Sequence, residues 1–309
     1  MTGLFLSIQD AISQGILWGI MALGVYVTFR ILDIADLTVD GSFATGGATC
    51  AILITNGVSP VLAIIGAILT GFAAGLITGV LITKFEIPAI LAGILTQIGL
   101  YSINMRIMGE RSNLPLLQSD TIIKSLSSMT GLSTAHTTLA IGIIIVIFIV
   151  GVLYWFFGTE IGSAIRATGN NEKMVSALGV NINTTKIIGL MISNGLIALS
   201  GALVTQSQGY ADVKMGTGAI VIGLASIVIG EVLFGRKQSF AVRLISIAVG
   251  SAIYRIIIAI VLELGLNTDD LKLLTAILVG VALTIPVLLN KQKQVRMYKK
   301  LTGKESEHA

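Results

Sequence analysis

Apolar runs long enough to cross a bilayer follow one another along almost the whole chain: about 11–29, 41–56, 60–82, 86–108, 137–157, 187–206, 218–235, 239–262 and 271–289. A hydrocarbon core tolerates no unpaired backbone, so each run is read as a helix. The expected fold is therefore all-α: a polytopic membrane protein of about nine transmembrane helices, with residues 1–309 forming one transmembrane domain. The second run is short and rich in glycine, and reads as a half-helix or a broken one. Gly71, Gly75 and Gly79 recur at i, i+4 and i+8, a ridge of small residues on which a neighbouring helix can pack closely.

One long polar stretch interrupts the pattern. Gly158–Lys186, GTEIGSAIRATGNNEKMVSALGVNINTTK, lies between the apolar runs Thr137–Phe157 and Ile187–Val204. Arg166, Glu172 and Lys173 exclude it from hydrocarbon, so it sits in water. Asn170 or Asn171 can cap a short helix through NEKMVSAL, and Gly179 is placed to end it. Met174, Ala177 and Leu178 then share one face. Two readings stand side by side: a docking element for a partner, or a connector folded back on the membrane surface.

Composition and charge extend this picture. Hydrophobic residues make up 54% of the chain and charged residues 12%, with a mean hydropathy of +0.92, which excludes an ordinary soluble domain. The single cysteine, Cys50, excludes an intramolecular disulfide and a cysteine-based zinc site. His136 and His308 are too few and too far apart to suggest a metal, so no cofactor is expected. If the C-terminus is cytoplasmic, 14 of the 20 basic residues fall in inner segments, including the basic tail 290–309. Only Arg111, Lys124, Lys214 and Lys272 fall in outer ones. The bias predicts a multi-pass cell-membrane protein with its N-terminus outside, its C-terminus inside and the polar stretch 158–186 cytoplasmic. The first run lacks a preceding Lys or Arg and is followed by Arg30, the reverse of a cleavable signal. The outer loop, about Gly109–His136, is rich in Ser and Thr and has room for a short helix.

The motifs for chemistry are mostly missing. No G-x-x-x-x-G-K-[ST] provides a phosphate cradle, and no H-E-x-x-H or G-x-S-x-G suggests a hydrolase. The chain is not expected to be an enzyme, and nothing resembles a channel filter. An ion- or proton-coupled secondary transporter remains as an alternative. Asp33, Asp36 and Asp40 would share a helix face as a cation or proton site; the other reading is a cytoplasmic turn in which Asp40 or Ser42 caps the next helix. Glu231 can reach the inner interface. Arg255, inside a span, either faces a cavity or partner or extends its head to the outer surface. Asn104, Arg106, Asn194, Gln206 and Gln208 either line a polar path or make hydrogen bonds between helices.

Two ordered motifs carry a family resemblance. Ile16–Ser42, ILWGIMALGVYVTFRILDIADLTVDGS, resembles the opening of permeases in the branched-chain amino-acid/ribose group of ABC importers, with Asp36-Leu37-Thr38-Val39-Asp40-Gly41-Ser42 matching D-L-T/S-V-x-G-S. Gly162–Asn171 is similar to that group's G-x-A-I-R-A-x-G-x-N element, followed by Ala177–Asn181. The similarity covers about residues 11–289 and looks closest to the subgroup paired with tryptophan/tyrosine-type binding proteins. The resemblance implies a type II importer arrangement in the lipid bilayer and import of an amino acid, possibly aromatic in kind. It implies as partners an ABC ATP-binding subunit, an extracytoplasmic substrate-binding protein and a second permease copy, and no nucleic acid. It makes the polar stretch a coupling helix, with Arg166, Gly169, Asn170, Asn171, Met174, Ala177, Leu178 and Gly179 facing or shaping the ATPase contact. The translocation path is expected to involve Asn104, Arg106, Asn194, Gln206 and Arg255.

Overall fold

The computed structural model describes residues 2–117, 119–235, 238–264, 270, 273–281, 284 and 294. Helix α1 (Thr2–Tyr26) continues into a π-helical turn (Val27–Ile31). It is followed by α2 (Val39–Thr55), α3 (Pro60–Thr83), α4 (Ala89–Ile107), α5 (Ile122–Thr130) and α6 (Thr134–Gly158). Then come α7 (Glu160–Asn170), α8 (Glu172–Ala177), α9 (Ile182–Gln208), α10 (Ala219–Phe234) and α11 (Phe240–Glu263). Six helical spans among the described residues have the length and apolarity to cross a membrane: Ser7–Ile31, α3, α4, α6, α9 and α11. The second and seventh expected spans are the shorter helices α2 and α10. Of the ninth expected span, 271–289, the described residues 273–281 and 284 are helical, and of the basic tail 290–309 only residue 294 is described.

Helix α9 is the central post, and α1, α2 and α3 all pack on it. The glycine ridge of α3 serves as the sequence suggests. A Cβ on Gly71 would meet the Asn194 carbonyl and Ala198, one on Gly75 the Leu190 carbonyl, and one on Gly79 Ile187. Backbones that approach this closely gain dispersion along their whole length, and in lipid this takes the place of a hydrophobic drive between helices.

Helices α2 and α10 begin inside the bundle, not at its edge. Asn194 lies twelve residues into the 27-residue helix α9, so about 18 Å from its start. It nevertheless bonds both Asp36, just before α2, and Ser42, in its first turn. The start of α10 meets the start of α2 there: the Asp40 carboxylate accepts from Gly218 N at 2.8 Å and Ile220 N at 3.0 Å. Gly216 packs so tightly on the Asp40 carbonyl that no Cβ fits. From this junction α10 runs towards the α7–α8 end, where Glu231 pairs with Arg30 at 2.6 Å, and α2 runs to the opposite end. Two helices that start at mid-depth, with irregular backbone between them, are tolerated only where protein covers that backbone.

This arrangement corrects both readings of the three aspartates. Residues 32–36 are not helical, so no helix face carries the carboxylates together. Asp33 is exposed with φ +56°; Asp36 is buried and accepts from Thr38 N at 2.9 Å; Asp40 caps α10 instead of its own helix. The turn runs from the exposed Asp33, beside the α7–α8 end, to Asp36 and Thr38 buried inside the bundle. The all-α expectation also needs an amendment. A small antiparallel pair, β1 (Asn113–Pro115) with β2 (Tyr210–Asp212), ties the loop after α4 to the segment after α9, in the register Leu114 opposite Ala211. The short helix expected in the loop 109–136 is α5, capped by Thr121.

Candidate functional site

The polar stretch folds as two helices. Thr159 Oγ1 accepts from Gly162 N at 3.2 Å and opens α7; Asn171 Oδ1 accepts from Met174 N at 3.1 Å and opens α8. Gly179 ends the unit at φ +82°, a conformation that glycine adopts without penalty. The sequence reading anticipated α8, its cap and its stop but missed α7, whose apolar positions are too few to show a helical period. α7 turns Gly162, Ile165 and Thr168 inward. A Cβ on Gly169 would strike the Ile31 carbonyl, so this glycine seats α7 against the end of α1. Thr168 and Thr185 share a hydroxyl contact of 3.0 Å across to α9.

The seated unit presents an apolar face. Met174 is 48% exposed and Leu178 73%, whereas Val175 between them is 1% exposed and anchors α8. Ala177 is exposed on the same side. The Lys186–Glu172 pair at 2.7 Å holds α8 to the start of α9. Behind α8 a cavity of about 570 Å³ is lined by Arg30, Asp33, Arg166, Met174, Phe240 and Arg243, among others. The Arg166 guanidinium lies 5.2 Å from the Phe240 ring centroid, a cation–π contact that ties α7 to α11. Arg166 and Asn170 thus line this cavity, Asn171 caps, the half-exposed Met174 borders the cavity mouth, and Ala177 and Leu178 are exposed. A rigidly anchored, outward apolar face on a short capped helix can dock into a groove and transmit its displacement to α1, α9 and α11.

The five residues expected on the path occupy four settings. Asn194 is fully engaged with Asp36, Ser42 and the Leu190 carbonyl. Gln206 donates to Cys50 Sγ and the Pro60 carbonyl, both at 3.3 Å, and accepts from Ile122 N, fixing α5 to the bundle. Arg106 is exposed in the last turn of α4. Arg255 lies over the Trp18 ring at 4.2 Å. Asn104, 1% exposed, lines a cavity of about 630 Å³, and neither of its side-chain polar atoms has a hydrogen-bond partner among the described residues. This cavity lies beside the α2–α10 junction and is also lined by Asp40, Gln97, Tyr101, Lys214 and Thr217. Gln97, Tyr101 and Asn104 stand at i, i+4 and i+7 on α4, a spacing visible in the sequence once a helix face is sought. Lys214 and Thr217 come from an irregular segment whose return to mid-depth no periodicity announces.

Comparisons with known proteins agree with this architecture. A family model described as "Branched-chain amino acid transport system / permease component" matches residues 7–288. The chain is 45% identical over 273 residues to the tyrosine transport system permease protein of Clostridioides difficile (strain R20291), covering 88% of each protein. It is 26% identical over 287 residues to the ribose import permease protein of Escherichia coli (strain K12), covering 89% of this chain and 82% of the relative. In fold it is similar to an inward-facing metal-chelate type ABC transporter, with a TM-score of 0.50, 17% identity, and coverage of 92% of this chain and 85% of that one. With spans, half-length helices and a projecting capped segment all accounted for, the chain belongs to the permease component family of branched-chain amino acid transport systems, a transport subunit of the ABC class and not an enzyme.

Proposed function

We propose that this permease imports an aromatic amino acid, working as one of two copies with a cytoplasmic ATP-binding subunit and an extracytoplasmic binding protein. The observation that carries the coupling half of this reading is the α7–α8 unit: Val175, Gly169 and Thr168 anchor it, while Met174 and Leu178 are left exposed. Arg166, Gly169, Asn170, Asn171 and Gly179 shape and seat that unit, and Met174, Ala177 and Leu178 are its contact face for the ATPase. The 45% identity to a tyrosine permease supports the substrate class. The path runs along α4 beside the Asn104 cavity; this amide, without a partner among the described residues, supplies N–H donors and a carbonyl acceptor to a passing polar group once a side-chain movement uncovers it. Nine spans, with the N-terminus outside and the C-terminus in the cytoplasm, follow from the hydropathy and charge pattern.

Co-reconstitution in proteoliposomes with its ATPase and binding protein tests the proposal. Met174→Asp with Leu178→Asp is expected to leave the permease folded and to lower ATP-driven tyrosine uptake at least tenfold, because two charges replace the docking anchors. Wild-type uptake by that double variant refutes the docking role. Uptake of leucine or ribose in preference to tyrosine refutes the substrate assignment. Orientation is read from cysteines in a Cys50→Ser background: Ser119→Cys labels from outside, and Ser176→Cys reacts only after permeabilisation.

A further inference from the structure

Near the end of the bundle opposite α7–α8, helices α1 and α11 meet so closely that a Cβ on Gly15 or Gly19 would press on the Ala252 or Ala248 backbone. Four polar atoms in this seam are shut off from solvent and have no hydrogen-bond partner among the described residues: Gln14 Oε1, Trp18 Nε1, Ser251 Oγ and Arg255 Nε. They come from i, i+4 pairs on the two facing helices. Arg255 rests its guanidinium 4.2 Å from the Trp18 ring centroid and forms no ion pair with any described carboxylate. A guanidinium at membrane depth that no described carboxylate pairs, and that lines a cavity, calls for an anion there.

The cavity beside it supplies the rest of a site. It measures about 340 Å³ and is lined by Ser7, Asp10, Gln14, Arg255 and Glu263, with Ile258 and Leu262 among its apolar lining. Glu263 lies eight residues beyond Arg255 on α11 and Asp10 four before Gln14 on α1, so both carboxylates stand nearer the helix ends than the guanidinium. Asp10 is exposed, and among the described residues Glu263 accepts only a 3.3 Å bond from Ser7. A lone anion would be repelled by these two carboxylates; a lone cation would be repelled by Arg255. A molecule that carries both charges satisfies all three.

We propose that this cavity binds a small zwitterion, its oxyanion on Arg255 and its primary ammonium between Asp10 and Glu263, with Trp18 as the surface behind the guanidinium. That chemistry is shared by a free amino acid and by the ethanolamine headgroup of a phospholipid. The site is separate from the Asn104 cavity and stands whether or not the transport assignment is correct.

The purified full-length chain tests it without transport. The chain has two tryptophans, Trp18 and Trp155, so Trp155→Phe leaves Trp18 as the one indole reporter. Its emission is expected to change saturably with phenylalanine or with short-chain phosphatidylethanolamine. A response to the first alone assigns a free amino acid; a response to the second alone assigns a lipid headgroup. Short-chain phosphatidylglycerol and 3-phenylpropionate, which lack the ammonium, should bind at least tenfold more weakly. Arg255→Met should abolish the response, Arg255→Lys should retain it about tenfold weaker because the fork geometry is lost, and Asp10→Asn with Glu263→Gln should weaken it several-fold. No saturable change with either zwitterion, or an unchanged affinity in the exposed-carboxylate double variant, overturns the proposal. Equal binding of phosphatidylglycerol and phosphatidylethanolamine overturns it as well.

Discussion

Asn194 on α9 and Asn104 on α4 are equally hidden from solvent, at 0% and 1% exposure, yet their amides are used in opposite ways. Asn194 accepts from Ser42 Oγ at 2.6 Å and donates to Asp36 Oδ2 at 2.8 Å and to the Leu190 carbonyl at 3.0 Å. It closes the hole left where α2 begins at mid-depth. Asn104 has no partner among the described residues for either side-chain polar atom and stands beside a cavity. An engaged amide in a low-dielectric interior contributes to the fold, because losing it strands its partners. An unengaged one lowers stability unless something else engages it, which is the role proposed above for a passing substrate. The surroundings agree: Thr38, Thr78 and Thr96 join α2, α3 and α4 in a buried hydroxyl chain at 2.8 and 3.0 Å, whereas Tyr101 and Lys214 on the cavity side are exposed.

The contrast can be broken most directly at Asn194. Asn194→Leu leaves the Asp36 carboxylate buried without its side-chain donor, and a loss of about 3 kcal/mol is expected in unfolding of the detergent-solubilised protein. A variant that melts with the wild type would make Asn194 a path residue after all. A smaller effect is expected at the α2–α10 junction. Asp40→Ala removes the acceptor of two α10 N–H groups and should cost about 1–2 kcal/mol, and Asp40→Asn less, since an amide oxygen still caps. Equal stability for all three would mean that water satisfies the start of α10 and that the cavity is wetter than its lining suggests. The smallest change in stability belongs to Asn104→Leu, within about 1 kcal/mol of the wild type or above it, because no partner is stranded. Its signature is functional: tyrosine uptake about tenfold lower in proteoliposomes. Normal uptake by Asn104→Leu would move the path away from α4.

Much of the polar segment 158–186 was legible in the sequence, because its signals are local. Asn171 three residues before Met174 and a glycine after the last turn define α8, and Arg166, Glu172 and Lys173 exclude the stretch from lipid. The same locality hid α7. Its cap, Thr159, is an ordinary threonine, and its inward face includes Gly162 and Thr168, which leave almost no apolar period to read. The Asp33, Asp36 and Asp40 spacing misled for a related reason. An i, i+3, i+7 pattern has meaning only if the backbone is helical, and here Asp33 sits at φ +56° and residues 32–36 are not helical.

Hydropathy by itself determined that this is a polytopic helical membrane protein, since only runs of apolar residues long enough to carry their own hydrogen bonds survive in hydrocarbon. Glycine spacing determined that α3 would lie close to a neighbour, and the two ordered motifs, Asp36–Ser42 and Gly162–Asn171, determined the permease family. Which neighbour, which polar groups pair and which stay open were decided only by tertiary structure. Asn104, Asn194, Gln206 and Arg255 look alike as isolated polar residues in apolar runs. Only the fold brings Asp36 and Ser42 to the second, Cys50 and Pro60 to the third, Trp18 to the fourth, and leaves the first beside a cavity without a partner among the described residues. The physical reason is that a hydrogen bond or an ion pair requires contact within a few ångströms, and contacts between residues more than a hundred positions apart are set by how the helices cross.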